Sequence, residues 1–325
     1  MSNLPWSGEK PVLMLAPMQG LTNRALRACI IDRAAPDVVF TEFVRVMAGA
    51  KKRISRADLN EIKNHHCSVP LVVQLIGHGA EALADAARVV QDAGVDSLNL
   101  NLGCPYGRMT TGATGGVLLR EPEKLSELLH SLRKAVRGSF SVKCRVGYDD
   151  PEQIFQLLPI YEDVGIDFLV LHPRTVEQKY QGEADHEITA KVVSRTRLPV
   201  IANGDINTSA QGQKILFATG AAGLMLGRGA LADPLLFRRL RGELPAEVDY
   251  SQRRRELFQF LDDLLPRYQE LFCGDRQALM KMKDVLNFIP DEELQHDLRR
   301  MKRAKEIELF RQRMLSFLQG YGAEK

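Results

Sequence analysis

Cys104 stands where the apolar run LNLNL (98–102) opens into Gly-Cys-Pro and then a loop rich in glycine and threonine. A thiol there is held by rigid strand on one side and can reach a ligand on the other. Most cysteines in apolar surroundings are small core residues. Here Pro105 fixes the exit of the strand, and Gly103, Gly107, Gly112, Gly115 and Gly116 read as backbone left exposed to a partner, which favours a site. Two pairs of charged or titratable residues add to it. Lys143 and Arg145 are two apart, as are His172 and Arg174, so each pair shares one face of its strand and can point toward one opening. The loops Asn203-Gly204-Asp205 and Gly227-Arg228-Gly229 offer backbone N–H groups, which makes a phosphate-bearing cofactor the natural occupant.

These residues must be positioned by the elements around them. Strand-like runs alternate with helical ones: 12–18, 38–43, 71–77, the Cys104 stretch, 140–146, 168–174, 198–205 and 223–229. Helices are expected near 22–33, with Thr22 as N-cap, and over 81–93, 123–137, 152–164, 186–196 and 208–219. Nearly continuous apolar strands suit a parallel sheet buried on both faces, so the expected fold is α/β, a (β/α)8 TIM barrel ending near residue 241. A doubly wound open sheet shares the alternation and is the structural alternative. In a barrel the C-terminal strand ends carry the site, and nearly every unit here delivers a polar group to that rim. GRGALA (227–232) fits a loose dinucleotide pattern, but it closes the last unit instead of opening a first one.

With 325 residues, 45% hydrophobic and 26% charged, the chain has room for a barrel and a smaller domain. No window nears the roughly 18 apolar residues of a membrane span, and MSNLPWSGEKP lacks the pattern of a signal peptide. Cysteines at 29, 67, 104, 144 and 273 form no C-x-x-C pair, which fits neither a disulfide framework nor a zinc site. A cytoplasmic monomer that binds no metal and no membrane is the expectation. Beyond a linker at 241–250 the pattern is wholly helical, with runs at 257–265, 279–288 and 308–318, so residues 242–325 are expected to form a small helical bundle.

The net charge is only +3, but it is unevenly spread. Segment 298–313 holds seven basic residues against two acidic ones, and 45–56 holds Arg45, Lys51, Lys52, Arg53 and Arg56 with no acid. Basic runs are usually solvated faces. Two of them flanking one barrel mouth would suit a polyanion larger than a metabolite.

The stretches LAPMQGLTN, TEFVRV, VQLIG, LNLNLGCP, VKCRVG, HPRTVEQKYQG, VIANGDI and GLMLGRGAL, in that order and each at a strand end, resemble the tRNA-dihydrouridine synthases over nearly the whole chain. The resemblance implies FMN on a barrel domain of residues 1–241, NADPH as electron source and a D-loop uridine of tRNA as substrate, bound with the help of the helical domain. By position, Cys104 would be the general acid. Pro17, Met18, Gln19, Gln74, Lys143, His172, Asn203, Gly204, Asp205, Gly227 and Arg228 would hold FMN. In that chemistry C6 of uracil receives a hydride and a thiol on the opposite face protonates C5. Lys143 would stabilise the reduced, anionic cofactor and His172 would hydrogen-bond it.

Within the family the chain is most similar to the branch acting at position 16, through Arg45 in TEFVRV, Tyr180 in VEQKY, and Lys281 and Lys283 in KMKDVLNF. That likeness implies tRNA contacts at Arg45, Asn101, Tyr180, Lys281, Lys283 and Arg299. Two departures stand out: Tyr106-Gly107-Arg108-Met109-Thr110 replaces the usual Ser-Lys-x-Val-Asn, and His-Pro-Arg replaces His-Gly-Arg. The alternatives are synthases acting at positions 17 or 20/20a, a dihydroorotate-dehydrogenase-like flavin barrel acting on a free pyrimidine, and a catalytically idle RNA-binding barrel.

Overall fold

A computed structural model describes residues 3–65, 68–106, 114–290 and 292–319. Its strands are β1 (Val12–Leu15), β2 (Val38–Phe40), β3 (Val44–Arg45), β4 (Leu71–Ile76), β5 (Leu98–Leu102), β6 (Phe140–Arg145), β7 (Phe168–His172), β8 (Val200–Asn203) and β9 (Gly223–Leu226). They run parallel in the order β2-β1-β9-β8-β7-β6-β5-β4-β3. A further pairing of Val39 with Leu71 and Phe40 with Val72 joins β2 to β4 and closes the sheet, which rules out the open doubly wound alternative. β3 pairs with the upper end of β4, Val44 against Leu75, and so continues the stave begun by β2. The result is a closed eight-stave barrel.

The run 38–43, expected as one strand, is broken. Thr41 still donates its N–H to the Val72 carbonyl at 3.0 Å, but Glu42 leaves the ladder to accept the Gly20 N–H at 2.8 Å. The first helix likewise starts one residue later than expected. Asn23 caps it by accepting the Leu26 N–H at 3.2 Å, while the Thr22 hydroxyl accepts the Met18 N–H at 2.8 Å and pins the preceding turn.

The outer helices are α1 (Arg24–Ala34), α2 (Arg56–Lys63), α3 (Ala80–Asp92), α4 (Pro122–Ala135), α5 (Ile154–Val164), α6 (His186–Arg195), α7 (Ser209–Thr219), α8 (Arg228–Ala232) and α9 (Leu236–Leu240). Strand alternation sends Leu98, Leu100, Leu102, Val142 and Cys144 outward into the layer beneath them. Val12, Met14, Phe40, Phe168, Val170 and Met225 face inward and fill the lower barrel, where Trp6 packs edge-on against Phe168 at 4.9 Å. No helix among the described residues is long and apolar enough to cross a membrane.

The tail consists of α10 (Tyr250–Leu271), α11 (Asp275–Leu286), α12 (Gln295–Lys302) and α13 (Ile307–Gln319). The sequence shows no apolar run for α12, because that helix buries only Asp297, Leu298 and Met301. α10 lies along α1, tied by Arg267–Asp32 at 2.7 Å and by Arg33–Asp263, and one hydrophobic cluster runs from the barrel helices into the tail. The connecting stretch is anchored: Arg239 pairs with Asp233 and Glu256, and Arg241 with Asp37.

Candidate active site

A cavity of about 730 Å³ opens at the C-terminal ends of the strands, and the half-buried Cys104 lines it just beyond β5. The other described thiols differ from it. Burial pushes Cys29 and Cys144 up to about 12, and Cys273 is on the surface; Cys67 lies outside the described residues. A chain of buried amides fixes the backbone under Cys104. Asn101 Oδ1 accepts the N–H groups of Gly103 at 3.1 Å and Cys104 at 2.9 Å, and its Nδ2 donates to Gln74 Oε1 at 2.8 Å. Gln74 in turn donates to Asn99, and Asn99 to the Ser141 hydroxyl, each at 2.8 Å. Each amide is held by its neighbour in the chain, which fixes the orientation of Asn101.

On its other side Cys104 is backed by Gly115 and Gly116. A Cβ on Gly115, where φ is +59°, would lie 3.0 Å from Cys104 Cβ, and one on Gly116 would lie 2.4 Å from Val176. Both glycines are buried, so they serve close packing and not the exposed backbone that the sequence suggests. Gly107, Gly112 and the Arg108 substitution lie outside the described residues.

Lys143 faces the same cavity, and burial first, then the neighbouring Arg145 guanidinium, pulls its ammonium down to about 8. No carboxylate among the described residues is paired with it. A recessed cation without a counter-charge is a ready site for an anion. Arg145, also at the cavity wall, is already committed: it donates to the carbonyls of Gly103 and Thr175, both at 2.8 Å, and to that of Lys179.

The His172–Arg174 pair does not open onto the mouth as a pair. His172 lines the cavity, but Arg174 lies behind it, 3% exposed in its side chain, with Nη1 3.1 Å from His172 Nε2. A guanidinium only donates, so Nε2 accepts and the imidazole proton resides on Nδ1. Burial, then the charges of Lys143, Arg145 and Arg174, holds His172 near 2, so the ring is neutral. Arg174 also pairs with Asp205 at 2.6 Å. Burial raises the Asp205 carboxyl, but the bonds from Arg174 and from the Ala184 N–H outweigh it and hold Asp205 below its usual range. Removing the guanidinium in Arg174→Met is expected to destabilise the protein by about 2–3 kcal/mol in a urea melt, less than for a fully buried pair because water reaches Asp205. The sign follows from the depressed value: this contribution is full above the unfolded carboxyl pKa near 4 and is lost as pH falls below it. Equal stability at pH 7 and pH 3 relative to the unsubstituted protein would contradict it.

The glycine loops complete the cavity. Gly204 has φ +124°, and a Cβ there would come within 3.0 Å of Ala184 and 3.3 Å of His172. Asn203 Nδ2 donates to the Met225 carbonyl at 2.8 Å and ties β8 to β9. Asp205, Gly227 and Arg228 continue the rim, with Arg228 3.3 Å from Asp205. Pro17, Met18 and Gln19, from the turn after β1, line the cavity beside Gly227, where a Cβ would lie 3.6 Å from Met18 Sδ, with Gln74 also at the surface of the cavity. Every residue assigned to the cofactor by resemblance therefore borders one cavity.

The residues assigned to tRNA divide. Arg45, Asn101 and Tyr180 line the cavity, Tyr180 being 52% exposed between the guanidinium groups of Arg145 and Arg228, 5.4 and 5.5 Å from its ring centre. Lys281 and Lys283 do not line it. Lys281 Nζ donates to the Gly20 carbonyl at 2.9 Å, and Lys283 to the Ala304 carbonyl inside the tail. Arg299 is exposed on α12. Apolar residues join the lining, among them Phe43, where β2 breaks, Ile76 at the end of β4, and Phe288, just past α11, which the sequence does not single out. Phe288 ends an apolar helical run in the sequence and carries no signal beyond that of a core residue.

A closed (β/α)8 barrel with a thiol, a recessed lysine and glycine loops around one mouth cavity defines a ligand-binding barrel enzyme. The family model described as dihydrouridine synthase matches residues 14–317, and the chain belongs to that family. That sets aside the alternative of a barrel acting on a free pyrimidine. A tRNA-dihydrouridine(16) synthase of Cupriavidus necator is 31% identical over 91% of this chain and 95% of its own. A probable tRNA-dihydrouridine synthase of Rhodobacter capsulatus is 33% identical over 74% and 76%, and tRNA-dihydrouridine synthase B of Pseudomonas syringae pv. tomato is 33% identical over 81% and 77%. Among solved structures, TcOYE with pHBA superposes with a TM-score of 0.52 at 11% identity over 74% of this chain and 91% of that one. A variant of NCR from Zymomonas mobilis gives 0.51 at 18% over 75% and 90%. At those identities the two structures speak for the fold alone.

Proposed function

We propose that this synthase reduces a D-loop uridine of tRNA to 5,6-dihydrouridine, with FMN as its cofactor and NADPH as its reductant, and that the uridine is number 16. The observation that carries the reading is the meeting, on one cavity wall, of the only described thiol that is neither deeply buried nor remote with a recessed, unpaired lysine. The residues fit FMN. The cavity has the size of a cofactor site, Gly204 lets its loop pack directly against His172 at the cavity wall, and Lys143 lacks the anion that a flavin ring or phosphate would supply.

Bound FMN, once reduced, would supply the hydride for C6 of the uracil ring. Cys104 donates the matching proton to C5, so hydride and proton together saturate the double bond. Asn101 and the Gly115–Gly116 pair hold the thiol's backbone from two sides, and His172, neutral and protonated on Nδ1, can only donate from that nitrogen. Lys143 provides positive charge where negative charge builds up. The uridine must leave its stack to reach this depth, and Tyr180 offers an exposed ring at the rim for it.

The tRNA reading is supported by charge around the mouth and tail, with Lys51, Lys52, Arg56, Arg299, Arg303 and Lys305 all exposed. Arg53 of the same segment is occupied by Asp85 and by backbone carbonyls. Position 16 is supported by the extent of one likeness. A match over 91% of a 325-residue chain runs well past residue 241 and into the tail, and the relative concerned is named for position 16. Dihydrouridine mapping in tRNA from a strain lacking the gene is expected to show loss at position 16, with positions 17, 20 and 20a unchanged. Retention at 16 with loss elsewhere would overturn the assignment.

A further inference from the structure

We propose that Lys281 is a positioning residue for the cofactor pocket, gripping from the helical tail the turn that forms one wall of that pocket. In this turn Pro17, Met18, Gln19 and Leu21 line the cavity, and Gly20 sits among them at φ +81°. The Gly20 peptide is held at both ends by side chains remote in sequence. Its N–H donates to Glu42 Oε2 at 2.8 Å, from the break between β2 and β3, and its carbonyl accepts from Lys281 Nζ at 2.9 Å, from α11. Asp284, one turn along the same helix, lies 3.3 Å from Nζ and aims it. Within the turn, Thr22 bonds both the N–H and the carbonyl of Met18, so movement of Gly20 is passed to the residue that faces the cavity.

The same helix reaches the cavity directly, because Phe288 beyond its end is part of the lining. The tail thus touches the pocket at two places along one short stretch, by charge at Lys281 and by packing at Phe288. An ammonium held by a carbonyl and a carboxylate is poorly placed to neutralise an RNA phosphate as well. The role assigned here is therefore transmission: whatever shifts α11, a docked tRNA included, shifts the wall on which the cofactor rests.

The inference rests on the FMN reading, and its test separates the two. Lys281→Met is expected to weaken FMN binding to the flavin-free protein about tenfold, without tRNA present, as read by quenching of flavin fluorescence. Lys281→Arg, which keeps a cationic donor, should recover most of that loss. Hydrogen exchange at residues 18–22 should speed up in Lys281→Met and not in Lys281→Arg, whether or not a flavin binds. If the unsubstituted protein binds no FMN, the cofactor reading fails, and the exchange result alone decides the clasp. Unchanged exchange and FMN affinity, with a tRNA-binding salt slope reduced by about 0.7–0.9, would make Lys281 a phosphate contact and overturn the proposal.

Discussion

Cys104→Ala is expected to lower dihydrouridine formation by about 10²- to 10⁴-fold, the range for loss of a positioned general acid, while flavin and tRNA remain bound. The substitution removes one sulfur from a half-buried site whose backbone is held by Asn101 and packed against Gly115, so the wall keeps its shape. Reduction of the cofactor by NADPH does not involve C5 of the uridine and should keep its rate. Mixing the pre-reduced variant with unmodified tRNA should then give almost no reoxidation. Cys104→Ser should restore little, because a hydroxyl is a far weaker acid than a thiol at the same position. Reoxidation at the unsubstituted rate in either variant would remove the proton-donor role.

Lys143→Met is expected to act in opposite directions on stability and on chemistry. In the ligand-free protein burial, and then the nearby Arg145, pull the ammonium down to about 8 from its ordinary 10.5, and no carboxylate among the described residues is paired with it. The folded state therefore holds its proton less firmly than the unfolded chain. Below about pH 8 the charge costs stability, and that cost fades as pH rises from 8 to 10.5. An apolar side chain of similar length removes it, so the melting temperature of the flavin-free variant at pH 7 should rise by about 2–4 °C, with the gap closing by pH 10.5. The same change takes away the positive charge at the cavity wall, and turnover should fall by about 10²- to 10³-fold. A lower melting temperature at pH 7 would mean that Lys143 already has an anionic partner in the folded chain.

Much of this site could be read without coordinates, for a physical reason that differs from residue to residue. Asn99 and Asn101, or Lys143, follow the inward face of their strands because alternate residues must face opposite ways. Gly204 stands at a backbone angle that side chains avoid. Arg174 looks like a second rim residue beside His172 by the same alternation, yet it is held behind the imidazole, paired with Asp205, a residue 31 positions away that no local pattern ties to it. Lys281 looks like a phosphate contact on a solvated helix, and its nearest acceptor is a carbonyl 261 residues earlier.

By itself, the chain's order of residues determined the parallel strands, the side of each that turns inward, the rim on which Cys104, Lys143 and His172 gather, and the helical character of the tail. Those properties follow from periodicity and backbone preference, which act over a few residues. Closure through β2 and β4, the breaking of the second stave at Glu42, the burial of Gly115 and Gly116, and the division of the basic groups into committed and available ones were decided only in three dimensions. Each depends on which partner occupies the space next to a group, and in a barrel that partner comes from another strand or from the tail.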